Sequence, residues 1–190
     1  ATKLPFYFAS DRPGTFMEAT IGESAFANYE PDANTVGLWH LEENSTGAAA
    51  VTRKDSSGSG NDLTDTNTTP IAQGKVGKAA YFGGSTMEYL TINDNASLSM
   101  GNALFTMSAW VYPSALRSLN EPIFCKGPLT VDLYEYCLYY ELGNNRLRLL
   151  TSNNGTNAYT TDATTAFVVG NWYHVAVKFD GSLQYIYING

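Results

Sequence analysis

Charge is scarce in this chain: Asp, Glu, Lys and Arg make up 15% of its 190 residues, against about 25% in ordinary soluble domains. The 11 Lys and Arg against 18 Asp and Glu leave a formal net charge of -7, and the basic residues form no cluster. Such a surface repels phosphate backbones and anionic lipid, so nucleic-acid and membrane-surface partners are disfavoured. No apolar run approaches the roughly 18 residues of a helical membrane span. The chain opens at Ala1 without the basic and apolar regions of a secretion signal, which reads as a signal already removed. Cys125 and Cys137 are the two cysteines, and no His or second Cys pair stands at zinc-ligand spacing. Long helical periodicity with caps is missing as well, so helix is expected to be minor.

What the chain has instead is Gly, Thr, Asn, Ser and Tyr, with 17 Gly and 13 Tyr. That mixture reads as an exported β-protein with polar loops. The length allows one domain with a substantial core and some tens of residues beyond it. From Val36 onward, strand-like runs alternate with turn clusters at the intervals of a β-sandwich. They are 36–41, 79–82, 89–92, 105–112, 122–125, 133–142, 146–151, 172–179 and 183–188. Gly83-Gly84, Gly143-Asn144-Asn145 and Asp180-Gly181 supply the positive-φ positions that tight turns need.

Within the longer runs a two-residue period assigns the faces. Tyr134, Tyr136, Leu138, Tyr140 and Leu142 are expected on the core side of their strand. Tyr173, Val175, Val177 and Phe179 share a face opposite Trp172, His174, Ala176 and Lys178. Asn189-Gly190, following the last run, is a strong two-residue hairpin signal. A further strand is therefore expected outside this sequence, and the β-domain is expected to be C-terminally incomplete as it stands.

Residues 1–34 read differently, as an extended N-terminal arm and linker ahead of a domain spanning 35–190. Leu4–Phe8 is a short apolar run whose Pro5 suits an edge strand or an extended arm. Residues 16–27 are ambiguous between a short helix and an irregular packed segment. Cys125 and Cys137 fall in two runs that residues 127–132 connect as a hairpin, and a cross-strand disulfide is expected in an oxidising compartment; two unlinked buried thiols are the alternative. Asn44, Asn67, Asn95 and Asn154 head glycosylation sequons, a weak signal in a chain so rich in Asn, Ser and Thr.

Three ordered blocks carry a resemblance: Gly37-Leu38-Trp39-His40-Leu41-Glu42-Glu43, then 55–63 (Asp-Ser-Ser-Gly-Ser-Gly-Asn-Asp-Leu), then 74–84 (Gly-Lys-Val-Gly-Lys-Ala-Ala-Tyr-Phe-Gly-Gly). With the later blocks 105–113, 123–127 and 171–177, their order resembles the laminin-G-like, concanavalin A-like jelly-roll domains of secreted bacterial proteins. The resemblance implies an antiparallel jelly-roll β-sandwich. It also implies a structural calcium as a feature of related domains, to which Asp55, Asn61 and Asp62 of the Gly/Ser-rich loop, with Glu42 or Glu43, would donate oxygens. An ordinary polar turn is the competing reading of that loop. The family pattern runs on with further strands, and the arm has no counterpart in it.

Carboxylates do not pair as a glycosidase requires. Glu135 and Glu141 stand about 20 Å apart at strand rise, and Glu42 and Glu43 point to opposite faces. His40 and His174 lie in alternating contexts without a nucleophile motif and read as structural. Tyr139 and Tyr159, near Asn-rich loops, are the expected exposed aromatics for contact with a glycan. The resulting expectation is a non-catalytic extracellular structural or adhesive module of a surface protein or appendage. Self-association by strand addition into a filament goes with it; a carbohydrate-binding module of a secreted enzyme is the alternative.

Overall fold

The computed structural model describes residues 29–43, 51–66, 68–71, 73–83, 88–100, 103–116, 120–127, 134–152 and 158–190. In chain order the strands are β1 (Val51–Arg53), β2 (Leu63–Thr66), β3 (Thr69–Ile71), β4 (Ala79–Tyr81), β5 (Tyr89–Thr91), β6 (Phe105–Val111), β7 (Glu121–Lys126), β8 (Tyr136–Glu141), β9 (Arg146–Thr151), β10 (Tyr159–Ala166), β11 (Tyr173–Phe179) and β12 (Gln184–Ile188). One 3₁₀ turn, Ala96–Leu98, is the helical element among the described residues. The pairings are antiparallel and form four sheets ordered β10-β9-β8-β7, β12-β11-β6, β1-β2-β5 and β3-β4.

The two sheets built from the longer strands, β10-β9-β8-β7 and β12-β11-β6, face each other across one apolar core, making a β-sandwich. Alternation decides which side chains enter it. Tyr136, Leu138 and Tyr140 of β8 lie in register with Thr151, Leu149 and Leu147 of β9, and Tyr173, Val175 and Val177 of β11 with Val111, Ala109 and Met107 of β6. Leu138, Leu147, Leu149, Val175 and Val177 are fully buried, each contributing about 1.5–3 kcal/mol by leaving water. In β7 a register shift between Pro122 and Phe124 breaks the alternation, so that the consecutive Ile123 and Phe124 are both buried.

The expected core faces of 134–142 and 172–179 match this layout, except that Tyr134, half-buried ahead of the strand, and Leu142, exposed beyond it, stay out of the core. The positive φ of the 143–145 turn falls on Asn145, at 55°, rather than on Gly143. Asn145 Oδ1 accepts the Tyr140 hydroxyl at 2.5 Å, and Asn tolerates the left-handed region where most side chains do not. Cys125 and Cys137 face each other directly in β7 and β8 and are joined by a disulfide.

Three regions depart from the sequence expectation: 36–41, the stretch holding the unexpected short strands β1, β2 and β3, and β10. Residues 36–41 form no strand; a single bridge, Trp39 to Asp55, links them to the following loop. Leu38, Trp39 and Leu41 are all buried, with Trp39 and Leu41 in a second apolar cluster with Leu63, Ala80 and Phe82. Leu41 stands at a φ of 60°, which breaks the pleat and lets neighbouring residues turn inward together. β10 was not expected at all: its sequence is rich in Thr, and six of its eight residues are exposed, as suits a sheet edge. Of the N-terminal arm, residues 1–28, including Leu4–Phe8 and 16–27, lie outside the described residues, as do Asn44, Asn67 and Asn154.

Candidate binding face

The loop expected to offer calcium ligands is closed on itself. Asp55 accepts four hydrogen bonds: Leu38 N and Ser57 N reach Oδ1 at 2.9 and 2.8 Å, and Ser57 Oγ and Asn61 N reach Oδ2 at 2.8 and 2.9 Å. Asp62 takes the amide of Asp55 on Oδ1 and the Lys54 ammonium on Oδ2. The hydrogen bond from Lys54 holds its carboxyl below the usual carboxylate range. Asn61 is fully buried; its Nδ2 donates to Val36 O and Ser97 Oγ, and its Oδ1 accepts from Asn95 Nδ2.

The two glutamates are spent elsewhere. Glu42 Oε1 accepts the amide of Lys78 at 3.0 Å, an approach possible only because Gly77, at φ 59°, has no Cβ to meet that carboxylate. Glu43 Oε1 accepts the amide of Lys54, and its Oε2 lies 3.5 Å from Arg53. The oxygens of Asp55, Asn61 and Asp62, and Oε1 of Glu42 and of Glu43, thus hold donors of the protein itself and do not converge on one cation position, while Glu43 Oε2 is buried without a hydrogen-bond partner, 3.5 Å from Arg53. Among the described residues no group of three or more His, Cys, Asp or Glu is placed to hold a metal ion. Asn95 turns its amide inward to Asn61 while its Oδ1 caps the 3₁₀ turn at Ser97 N, so that sequon does not present a free side-chain nitrogen.

The cation in this region is internal. Arg53, fully buried, donates from Nε to Asp65 Oδ2 at 2.8 Å and from Nη1 to Glu43 O at 2.7 Å. Its Nη2 reaches Asp65 Oδ2 at 2.6 Å and Thr68 Oγ1 at 3.0 Å. Thr68 completes the Asp65 shell through its amide, at 3.0 Å from Oδ1, and its hydroxyl, at 2.5 Å from Oδ2. A guanidinium whose donors are met by oxygens at this depth organises the loops around it.

The two tyrosines expected to touch a glycan do not form one platform. Tyr139 lies in the row of Arg148 and Asp162 on the outer face of the β10-β9-β8-β7 sheet. There Arg148 donates to both oxygens of Asp162, at 2.5 and 2.8 Å. Tyr159 belongs to the opposite face, in the row of Thr151 and Tyr136, and projects at the sheet edge, 60% exposed.

Aromatic side chains gather instead on the outer face of the β12-β11-β6 sheet. Register places Trp110 beside His174, Ser108 beside Ala176 and Tyr187, and Thr106 beside Lys178 and Tyr185. Tyr112 and Trp172, just past the ends of β6 and β11, bring their rings to 5.4 Å; Trp110 and His174 are 5.2 Å apart and Tyr185 and Tyr187 6.4 Å. Lys75 sets its ammonium 5.3 Å from the Trp110 ring centre, and Lys178 sets its own 5.8 Å from that of Tyr185. Both distances are those of cation–π contacts. Tyr185 donates its hydroxyl to Asp180, a bond that keeps the phenol protonated above its ordinary range.

Half of this face was legible. The alternation that sends Val175 and Val177 inward sends Trp172, His174 and Lys178 outward. The same rule applied to 105–112 and 184–188 yields Trp110, Tyr112, Tyr185 and Tyr187, but which strands lie side by side is a matter of topology.

Antiparallel sheets packed face to face on one apolar core are the architecture of the jelly-roll class. Residues 82–190, more than half of the chain, match the laminin G family described as the concanavalin A-like lectin/glucanases superfamily, and the chain belongs to that family. Neither the curated proteins nor the solved structures include a match to it.

Proposed function

We propose that this protein is a non-catalytic, extracellular adhesive module that recognises carbohydrate through the outer face of the β12-β11-β6 sheet. The observation that carries the reading is the aromatic row of that face, with Tyr112 and Tyr187 exposed and Trp172 partly so. Pyranose rings present apolar C–H faces that stack on aromatic side chains, and exposed aromatics laid along a rigid sheet bind without moving parts. Trp110 is the seat of Lys75, which leaves Trp172, Tyr112 and Tyr187 for stacking. The disulfide between β7 and β8 and membership of a lectin-like family support a location outside the cell. A non-catalytic role is supported by the face itself, whose outward strand positions carry no carboxylate.

Binding to a panel of soluble polysaccharides, measured by affinity electrophoresis with the parent chain and Trp172→Ala and Tyr187→Ala variants, tests the reading. Retardation that weakens at least fivefold in both variants, with an unchanged melting temperature, is expected. Retardation indifferent to both substitutions would place the contact elsewhere.

A further inference from the structure

We infer that the ligand of this face is a polysaccharide bearing carboxylates, a polyuronate, rather than a neutral glycan; this rests on the carbohydrate reading above. The argument is one of charge placed against the molecule's own sign. The chain carries a net -7, yet the outward positions of this sheet, Thr106, Ser108, Trp110, Tyr112, Trp172, His174, Ala176, Lys178, Tyr185 and Tyr187, include no carboxylate.

Two ammonium groups stand on it instead. Lys75 lies over Trp110 toward one end of the row and Lys178 over Tyr185 toward the other; both lysines are exposed. Neither has a carboxylate within salt-bridge distance among the described residues. The acid nearest to the row is Asp180 in the β11-β12 hairpin, close enough for its carboxyl to respond to the charge of Lys178. Its oxygens are engaged by Ser182 N, Leu183 N and the Tyr185 hydroxyl, so it offsets Lys178 without capturing it.

Elsewhere Lys54 pairs with Asp62 and the partly buried Arg148 with Asp162, while the exposed Arg146 at the start of β9 stands apart from any aromatic row. The unpaired cations beside Trp110 and Tyr185 flank Tyr187, with Tyr112 and Trp172 one step beyond Lys75, an arrangement that matches a ligand alternating stacking rings with anions. Lysines favour single, spaced charges, since an ammonium is a compact point charge without the planar fork of arginine. The rows of Trp110 and Tyr185 are four strand positions apart, roughly 13 Å, and two single charges so separated suit isolated carboxylates along a sugar chain better than the crowded sulfates of a heavily sulfated glycan.

The test compares polygalacturonate, its fully methyl-esterified form and a chondroitin sulfate by isothermal titration, at 50 and 500 mM NaCl, on the parent chain, the Lys75→Gln/Lys178→Gln variant and Trp172→Ala. Both lysines are exposed, so the double variant is expected to fold, and its melting temperature checks this. Polygalacturonate is expected to bind about tenfold more tightly than its ester, and to lose about tenfold in the lysine variant. The difference should shrink in high salt as exposed charges are screened. Equal affinity for acid and ester, with loss in Trp172→Ala, would overturn the polyuronate inference and leave the carbohydrate reading standing. Preference for the sulfated polymer would also overturn it. Binding of none of the three by the folded parent chain would overturn the polyuronate inference, and the wider polysaccharide panel would then decide the carbohydrate reading.

Discussion

The core between the two sheets of the sandwich and the packed loops around Arg53 are comparably buried, yet they are held by opposite means. The first is apolar and repetitive: Leu138, Leu149, Val175 and Val177 interlock because period two puts them there. The second is polar and singular: Arg53, Asp65 and Asn61, each 1% exposed or less, are held by hydrogen bonds spanning from 3 to 36 residues of chain. An apolar core tolerates substitution of like for like and loses stability in proportion to volume. A buried charge cluster stands or falls by completeness, because a partner left alone keeps its full desolvation cost.

The sharpest way to break this comparison is to remove one charge. Asp65→Ala strands the Arg53 guanidinium and is expected to destabilise by about 3–5 kcal/mol. Leu138→Ala in the sandwich is expected to cost roughly 2–5 kcal/mol. The two singles therefore look alike, and the difference lies in repair. A double Arg53→Met/Asp65→Leu variant is expected to recover much of the loss, since neither ion then needs a partner, whereas no second truncation repairs a cavity. Urea unfolding of the parent chain and the three variants measures this. A cost below about 1 kcal/mol for Asp65→Ala would show that water reaches the cluster and that the comparison is false.

Those two regions were also unequally legible. The sandwich strands β6, β8, β9, β11 and β12 stand out in the sequence because burial on one face writes a period-two pattern. β10 escaped notice because an edge strand needs few apolar residues and its Thr-rich run carries none of that pattern. The polar cluster left still less trace. Nothing local in the sequence says that Asp55 binds the amide of Leu38, or that Asn61 reaches Ser97, so the same oxygens were read as metal ligands. The side-chain types were right for that chemistry, but backbone amides reach them first. The binding face sits between these cases: its outward residues follow from alternation, and their assembly into one row follows only from pairing order.

A smaller effect is expected from the covalent link on the sandwich. Cys125 and Cys137 are 12 residues apart and already opposite one another in paired strands, so the disulfide closes a short loop that pairing has largely closed. Replacing both with alanine is expected to cost about 2 kcal/mol, less than either single truncation above. Thermal unfolding of the double variant measures it, and peptide mapping without reduction should recover the two cysteines in one linked fragment. A cost as large as that of Leu138→Ala would mean that the β7-β8 pairing depends on the bridge and is not secured by the apolar face.

The smallest effect concerns a titrating group on the binding face. His174 is half-buried beside Trp110, its backbone amide donating to Asn189 Oδ1, and burial pulls its pKa below the ordinary 6.5. Burial disfavours the imidazolium, so between the folded-state pKa and 6.5 the unfolded chain binds more protons than the folded one. Stability therefore rises with pH across that window. It is fully present above about 6.5, declines as pH falls from there, and stops declining through this group below the folded-state pKa. Replacing His174 with glutamine, which keeps a polar planar group beside Trp110 but cannot titrate, is expected to flatten the melting temperature between pH 5 and 7. A His174→Gln chain that keeps the parent slope would assign the pH dependence to a different group and remove His174 from the account of this face.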